Sequence, residues 1–150
     1  MVDISTINGF LSQRSLALIG ISRSGKKFGN VIFKELKSKG YQIFPINSNA
    51  ERIQDDFCYP SLKVLHEKVG GVIVVLPPAQ TEIVVREIAA AGIERIWMQQ
   101  GSESPAAVKF CEDNGLNFVH GECIMMFTAK TSFPHNVHHW VNGVVGKLPK

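Results

Sequence analysis

The fold is decided by one stretch, Leu16-Ala-Leu-Ile-Gly-Ile-Ser-Arg-Ser-Gly-Lys-Lys-Phe-Gly-Asn30. Its opening apolar residues predict a buried strand, the small and basic residues after them predict a turn, and the last residues predict the first turn of a helix. In such a unit the backbone N–H groups of the turn and of the helix N-terminus point at one place, where an anion can bind. The stretch therefore predicts a phosphate-binding turn.

A glycine followed by an apolar run recurs through the rest of the chain. Each glycine ends a helical pattern, as expected for the residue that favours the left-handed conformation after a helix. The β-branched runs behind the glycines predict strands buried on both faces. Together with residues 16–19 they predict an α/β, Rossmann-like three-layer fold with a mostly parallel five-stranded sheet, and residues 57–59 predict a small additional edge strand. The glycines are Gly40, Gly71, Gly92 and Gly115.

The chain has 150 residues, the usual length of one domain, and no linker composition interrupts it. We therefore expect a single domain over residues 1–150 with a short opening helix near residues 4–11. Ser104 before Pro105 predicts a capped helix start. From about Cys123 the strand–helix pattern ends, and the remainder predicts a segment that wraps the sheet, with a helix over residues 134–145.

Composition and charge exclude several classes of protein. The net charge of +3 comes without a Lys/Arg run or aromatic–basic interleaving, so nothing indicates a nucleic-acid partner. Three cysteines without short spacing argue against a disulfide scaffold and favour a reducing cytoplasm. We see no signal-peptide pattern at the N-terminus, and apolar runs such as residues 72–76 are too short to cross a membrane. The sequence predicts a cytoplasmic protein.

Ligands of open parallel sheets bind at the C-terminal ends of the strands. The first end, Gly20-x-Ser22-x-Ser24-Gly25, is neither a G-x-G-x-x-G fingerprint nor a Walker loop. The second end carries Asn47, whereas NAD sites usually have an acid there. With the nearby cations Arg23, Lys26 and Lys27, a neutral residue favours a nucleotide that is phosphorylated on its ribose. NADP and coenzyme A both carry such a phosphate.

A series of motifs in a fixed order then produces a family resemblance. The motifs are Ala17-Leu-Ile-Gly-Ile-Ser22, Gly40-Tyr-x-Ile-x-Pro-Ile-Asn47, Tyr59-Pro-Ser-Leu62, Val72-Ile-Val-Val-Leu-Pro77, Trp97-Met-Gln-Gln-Gly101 and the segment at Cys123. With them, the chain resembles the small stand-alone CoA-binding domain proteins. Their fold is that of the N-terminal domain of the succinyl-CoA synthetase alpha subunit. The resemblance runs from about Ser15 to Cys123.

The resemblance implies coenzyme A, or an acyl-CoA, as the cofactor. It places the CoA phosphates on the first turn, the adenosine end near the second strand exit, and the start of pantetheine near the third. Where the family often has Pro-Lys after the asparagine, this chain has Ser48-Asn49. Lys26, Lys27 or Arg52 would replace that lysine. The expected cofactor-binding residues are Gly20, Ser22, Arg23, Ser24, Gly25, Lys26, Phe28, Asn47, Asn49, Leu76, Pro77, Pro78, Gln99, Gly101 and Cys123.

The expected function is CoA binding without ligase activity. In the synthetase a following domain carries the phosphorylated histidine and a beta subunit binds the nucleotide triphosphate, and a chain that ends at Lys150 leaves no room for either. No catalytic residue is therefore predicted. Two alternatives stay open: an NADP-linked oxidoreductase, and an interaction protein that forms a homodimer through residues 133–145.

Three features have two interpretations each. We expect Cys123 to be a buried structural cysteine, although its thiol could form a mixed disulfide with CoA. The histidines at 135, 138 and 139 are expected to pack, although with His120 and Cys123 they could bind zinc; we predict no metal. Phe28 either caps the core or lies under the adenine. By contrast, Trp97, Phe44 and Phe118 have only one interpretation, as core residues within strands.

Overall fold

The computed structural model describes residues 3–22, 27–47, 52–53, 56–65 and 67–128. The sequence-based expectations for residues 23–26, 48–50 and 129–150 lie outside these ranges, and among them are the helix over residues 134–145, the dimer surface and the histidine cluster. In chain order the elements are α1 (Ile4–Leu11), β1 (Ser15–Ile19), α2 (Phe28–Ser38), β2 (Gln42–Ile46), β3 (Arg52–Ile53), β4 (Asp56–Phe57), a 3-10 helix (Leu62–Val64), β5 (Gly71–Val74), α3 (Pro78–Ala90), β6 (Arg95–Gln99), α4 (Pro105–Asp113), β7 (Asn117–Glu122) and α5 (Met125–Thr128).

The main sheet has five parallel strands in the order β2-β1-β5-β6-β7. This confirms the predicted α/β, Rossmann-like fold. The additional edge strand expected at residues 57–59 is smaller than predicted. Residues 56–57 pair in an antiparallel ribbon with residues 52–53, and Tyr59 alone makes a parallel bridge to Ile46.

Two apolar cores cover the two faces of the sheet. The first joins α1, α2 and α5 to one face, and its centre is Trp97, whose ring lies 5.4 Å from that of Phe10 and 5.7 Å from that of Phe127. The second joins α3 and α4 to the other face. The core role of Trp97 is confirmed, whereas Phe44 and Phe118 are only partly buried against the second core.

The glycine pattern is confirmed at three of its four positions. Gly40, Gly92 and Gly115 have positive φ after a helix, as predicted. The prediction is wrong at Gly71, which is the first residue of β5 and follows a 3-10 helix and a turn. A Cβ on Gly71 would lie 2.7 Å from Cε2 of Phe10. Glycine is needed there because it lets α1 pack closely on the sheet.

The predicted helix starts also hold. The Ser104 hydroxyl accepts a hydrogen bond of 3.0 Å from the N–H of Ala107, and Pro105 opens α4. Asp3 caps α1 in the same way by accepting from the N–H of Ser5. No helix among the described residues has the length and apolar character needed to cross a bilayer.

Candidate functional site

The candidate site lies where β1 and β5 run side by side. β1 leads into α2 on one face of the sheet and β5 leads into α3 on the other, so their continuations diverge at this point. Such a divergence opens a crevice at the C-terminal edge of a parallel sheet. Here the crevice is a cleft of about 810 Å³, within the range of small-molecule sites. Its lining includes Gly20, Lys27, Asn47, Lys63, Leu76 and Gln80.

Two glycines allow close backbone approaches at the end of β1, Gly20 to the exit of β5 and Gly29 to Gly20 itself. Gly20 has a φ of 122°, which a side chain rarely tolerates, and a Cβ there would lie 2.1 Å from the carbonyl oxygen of Val75. A Cβ on Gly29 would lie 2.2 Å from the carbonyl oxygen of Gly20. The first N–H groups of a helix have no partner within that helix. This close approach therefore brings such donors to the edge of the cleft.

Two asparagine side chains hold the backbone at the start of the turn. The carboxamide of Asn30, in α2, accepts a hydrogen bond from the N–H of Ser22 and donates one to its carbonyl oxygen, each 3.0 Å long. Nδ2 of Asn47 donates a 2.9 Å hydrogen bond to the carbonyl oxygen of Ile21. Asn47 was predicted as a neutral replacement for an acid, and its amide has this backbone partner. Sequence reasoning assigned no role to Asn30.

The exits of β5, β6 and β7 are tied to one another by buried polar side chains. The hydroxyl of Ser102 accepts a 3.1 Å hydrogen bond from the N–H of Leu76. Oε1 of Gln99 accepts a 3.0 Å bond from the N–H of Ile124. Gln99 is 2% exposed, and its bond joins the end of β6 to the segment that follows β7. Ser102 lies at a polar strand exit that the sequence indicates, but it was not among the expected cofactor-binding residues, and its bond to Leu76 was not predicted.

The structure separates the expected cofactor-binding residues into groups. Gly20, Asn47 and Leu76 line the cleft, and Ser22 follows the lining residue Ile21. Pro77 and Pro78 are exposed at the start of α3, and Gly101 is exposed in the turn after β6. Gln99 and Cys123 are not part of the cleft lining. Arg23, Ser24, Gly25, Lys26 and Asn49 lie outside the described residues.

The structure also gives the positions of Phe28 and of the basic side chains. Phe28 is 47% exposed, so the alternative in which it caps the core is wrong. Lys27 and Lys63 are both exposed and both line the cleft, where they supply positive charge. Arg52 stacks over the ring of Phe57 at 5.2 Å and is not part of the lining. Lys63, which was not predicted, thus lies in the cleft lining, whereas Arg52 does not.

All three cysteines are free. Burial raises the pKa of the Cys111 thiol to about 11, and Cys58 is also buried. Cys123, which follows the last strand, is only partly buried, contrary to expectation. Within the described ranges no three metal-ligating side chains come together.

The fold and cleft define a Rossmann-like domain with a crevice at the C-terminal edge of its sheet, and comparison with known proteins identifies its family. A family model for the CoA binding domain matches residues 14–129. The chain belongs to this CoA-binding domain family.

Relatives with the same domain include large ligases. The chain is 36% identical over 93 residues to an acetate–CoA ligase (ADP-forming) II of Archaeoglobus fulgidus, a match that covers 61% of this chain and 14% of that protein. It is 31% identical over 88 residues to the alpha subunit of the Pyrococcus furiosus ligase II, covering 58% of this chain and 19% of the subunit. The chain thus matches less than a fifth of either relative's length.

A solved structure matches over almost its whole length. It is a conserved hypothetical protein of Pyrococcus furiosus, 37% identical to this chain, with a TM-score of 0.72. The match covers 75% of this chain and 97% of that protein. A small protein of unassigned function therefore has this same fold.

Proposed function

We propose that this chain binds coenzyme A or an acyl-CoA in the cleft between β1, β2 and β5. The observation that carries the proposal is that the cleft opens at the strand divergence inside the segment that the CoA-binding family model matches. Diphosphate would lie on the turn after Gly20 and at the start of α2. Backbone N–H groups at a helix N-terminus favour an anion in that position.

The rest of the ligand would follow the walls of the cleft. The adenosine end would lie near Asn47, with Lys27 and Lys63 facing its phosphates. Leu76, Pro77 and Pro78 would line the path toward pantetheine. Phe28 is exposed at the start of α2, where it could stack on the adenine. Arg23, Ser24, Gly25, Lys26 and Asn49 remain expected contacts.

We also propose that the chain acts as a binding module in the cytoplasm and is not a ligase by itself. Its relatives with that activity are several times longer than the segment they share with it. The free state of all three cysteines fits a reducing compartment. An assay for ADP-forming acetate–CoA ligation by the purified chain tests the absence of activity.

Thermal unfolding with four ligands tests the binding proposal. A ligand that binds only the folded state adds about 2.7 kcal/mol at one hundred times its Kd. For a domain of this size that raises the Tm by several degrees, roughly 2–4 °C for each kcal/mol. We expect this rise with CoA and acetyl-CoA but not with NAD. A rise with NADP and not with CoA would instead favour the oxidoreductase, and no rise with any of the four would favour the interaction protein.

Charge reversal in the cleft tests where the phosphates lie. Lys63→Glu is expected to weaken CoA binding by about 1 kcal/mol, roughly fivefold in Kd, because it places a negative charge beside the ligand phosphates. Isothermal titration at two salt concentrations measures the effect, which shrinks at the higher one. Lys68→Glu is the matched control: it makes the same change in net charge at an exposed lysine outside the cleft lining. Equal weakening by both variants would contradict this placement.

A further inference from the structure

Asn30 is a buried residue whose carboxamide both accepts a hydrogen bond from Ser22 and donates one to it. Asn30 is 6% exposed. Its Oδ1 accepts from the N–H of Ser22 at 3.0 Å, and its Nδ2 donates to the carbonyl oxygen of Ser22 at 3.0 Å. The orientation of the amide follows from these partners, because an N–H can only donate and a carbonyl can only accept. Only a group that is both donor and acceptor can make this pair of bonds.

Asn47 extends the same arrangement by one backbone group. Its Nδ2 donates to the carbonyl oxygen of Ile21 at 2.9 Å. Together the two side chains bind three consecutive polar groups of the backbone: the Ile21 carbonyl, the Ser22 N–H and the Ser22 carbonyl. Asn30 comes from α2 and Asn47 from the exit of β2, so the backbone entering the turn is fixed from two separate elements.

This arrangement has a consequence for the cleft. The N–H of Ser22 donates to Asn30, so it is not available to an anion in the cleft, and the peptide groups on both sides of Ser22 are fixed where the chain enters the turn. We expect the direction of the N–H groups later in the turn to follow from this orientation. When a loop presents oriented N–H groups to a ligand, the affinity falls if the loop must become ordered on binding.

We propose that Asn30 is a positioning residue for the phosphate-binding turn and, through it, determines how much of the ligand's affinity comes from its phosphates. The inference rests on the proposed function for its ligand and on the two hydrogen bonds to Ser22 for its mechanism. Asn30 does not itself contact the ligand. It acts by holding Ser22, and thereby the donors that come after it.

The test compares Asn30→Ala and Asn30→Asp with Asn114→Ala. The Asp variant keeps the size of the side chain but loses the donor to the Ser22 carbonyl. Asn114→Ala is the control because it also removes one amide-to-carbonyl bond, the 2.8 Å bond to Phe110, at the exposed end of α4. Three quantities are measured on each folded protein: the hydrogen-exchange rate of the Ser22 amide without ligand, the Kd for CoA, and the Kd for pantetheine, which has no phosphate.

In Asn30→Ala we expect the Ser22 amide to exchange faster and CoA to bind about tenfold more weakly, with pantetheine affinity unchanged. In Asn30→Asp we expect weaker CoA binding as well, and in Asn114→Ala no change in any quantity. An unchanged exchange rate of the Ser22 amide in Asn30→Ala would contradict the inference that Asn30 holds Ser22. If the affinities for CoA and pantetheine fall equally, or if neither falls, the positioning role is wrong. If the wild-type chain binds no CoA, the proposed function fails and the phosphate role with it, while exchange at Ser22 still decides whether Asn30 holds the turn.

Discussion

Replacing Gly29 with alanine is expected to lower the free energy of unfolding by about 2–4 kcal/mol and to remove most CoA binding. A Cβ at this position would lie 2.2 Å from the carbonyl oxygen of Gly20 and 2.8 Å from its carbonyl carbon. Both are backbone atoms, so the clash cannot be relieved by rotating a side chain. The start of α2 must therefore move away from β1. That movement displaces the helix donors and Asn30 together, and urea denaturation and titration with CoA measure the two effects.

Gly9→Ala is the matched control for Gly29→Ala. Gly9 lies within α1, and a Cβ there would meet nothing within 4 Å. The same substitution should therefore stabilise the protein by about 0.5–1 kcal/mol, because alanine is the better helix former. It should leave CoA binding unchanged. If the two variants change stability in the same direction, the close approach of α2 to β1 is not what requires glycine at position 29.

The strands could be predicted from the sequence because each carries a local signal. Residues 16–19 and 72–74 are continuous apolar runs. The other three strands of the main sheet each follow a glycine that ends a helix. Such signals involve neighbouring residues only. The prediction failed before Gly71, where Leu62 and Leu65 are buried but the segment forms a 3-10 helix and a turn. Two apolar residues three positions apart lie on one face of an α-helix and also of a 3-10 helix. Their spacing therefore did not distinguish the two kinds of helix.

The site was predictable only in outline. Strand exits meet at one edge of any parallel sheet, so Gly20, Asn47 and Leu76 could be placed together without a structure. The bonds that hold this edge could not, because they join side chains to backbone groups far along the chain. Ser102 binds the N–H of a residue 26 positions away, and Gln99 one 25 positions away. For Asn47, the sequence showed only a neutral residue where an acid is common. The structure adds that the Asn47 amide donates a hydrogen bond to the carbonyl oxygen of Ile21. The sequence pattern does not reveal this contact.

Trp97→Ala is expected to lower the free energy of unfolding by about 3–5 kcal/mol, a large part of the stability of an ordinary domain. The indole is fully buried between Phe10 of α1 and Phe127 of α5, so its removal leaves a cavity where both helices meet the sheet. The Nε1 group also donates a 3.1 Å hydrogen bond to the carbonyl oxygen of Glu122, and this bond would be lost while the 3.1 Å bond from the N–H of Gln100 to the same oxygen remains. Chemical denaturation followed by circular dichroism measures the loss.

Two further measurements separate this effect from damage to the cleft. Trp97→Phe keeps most of the apolar volume but not the hydrogen bond, so it should destabilise by about 1–3 kcal/mol, less than the alanine variant. Trp97 belongs to the core on the α1 and α2 face, which reaches the cleft at Ile21, whereas most apolar residues of the cleft lining, such as Leu62 and Leu76, belong to the other core. The folded fraction of either variant should therefore bind CoA within about twofold of the wild-type Kd. Loss of CoA affinity in a fully folded Trp97→Phe protein would show that the two faces of the sheet are coupled. It would also argue against placing the CoA site solely in the cleft between β1 and β5.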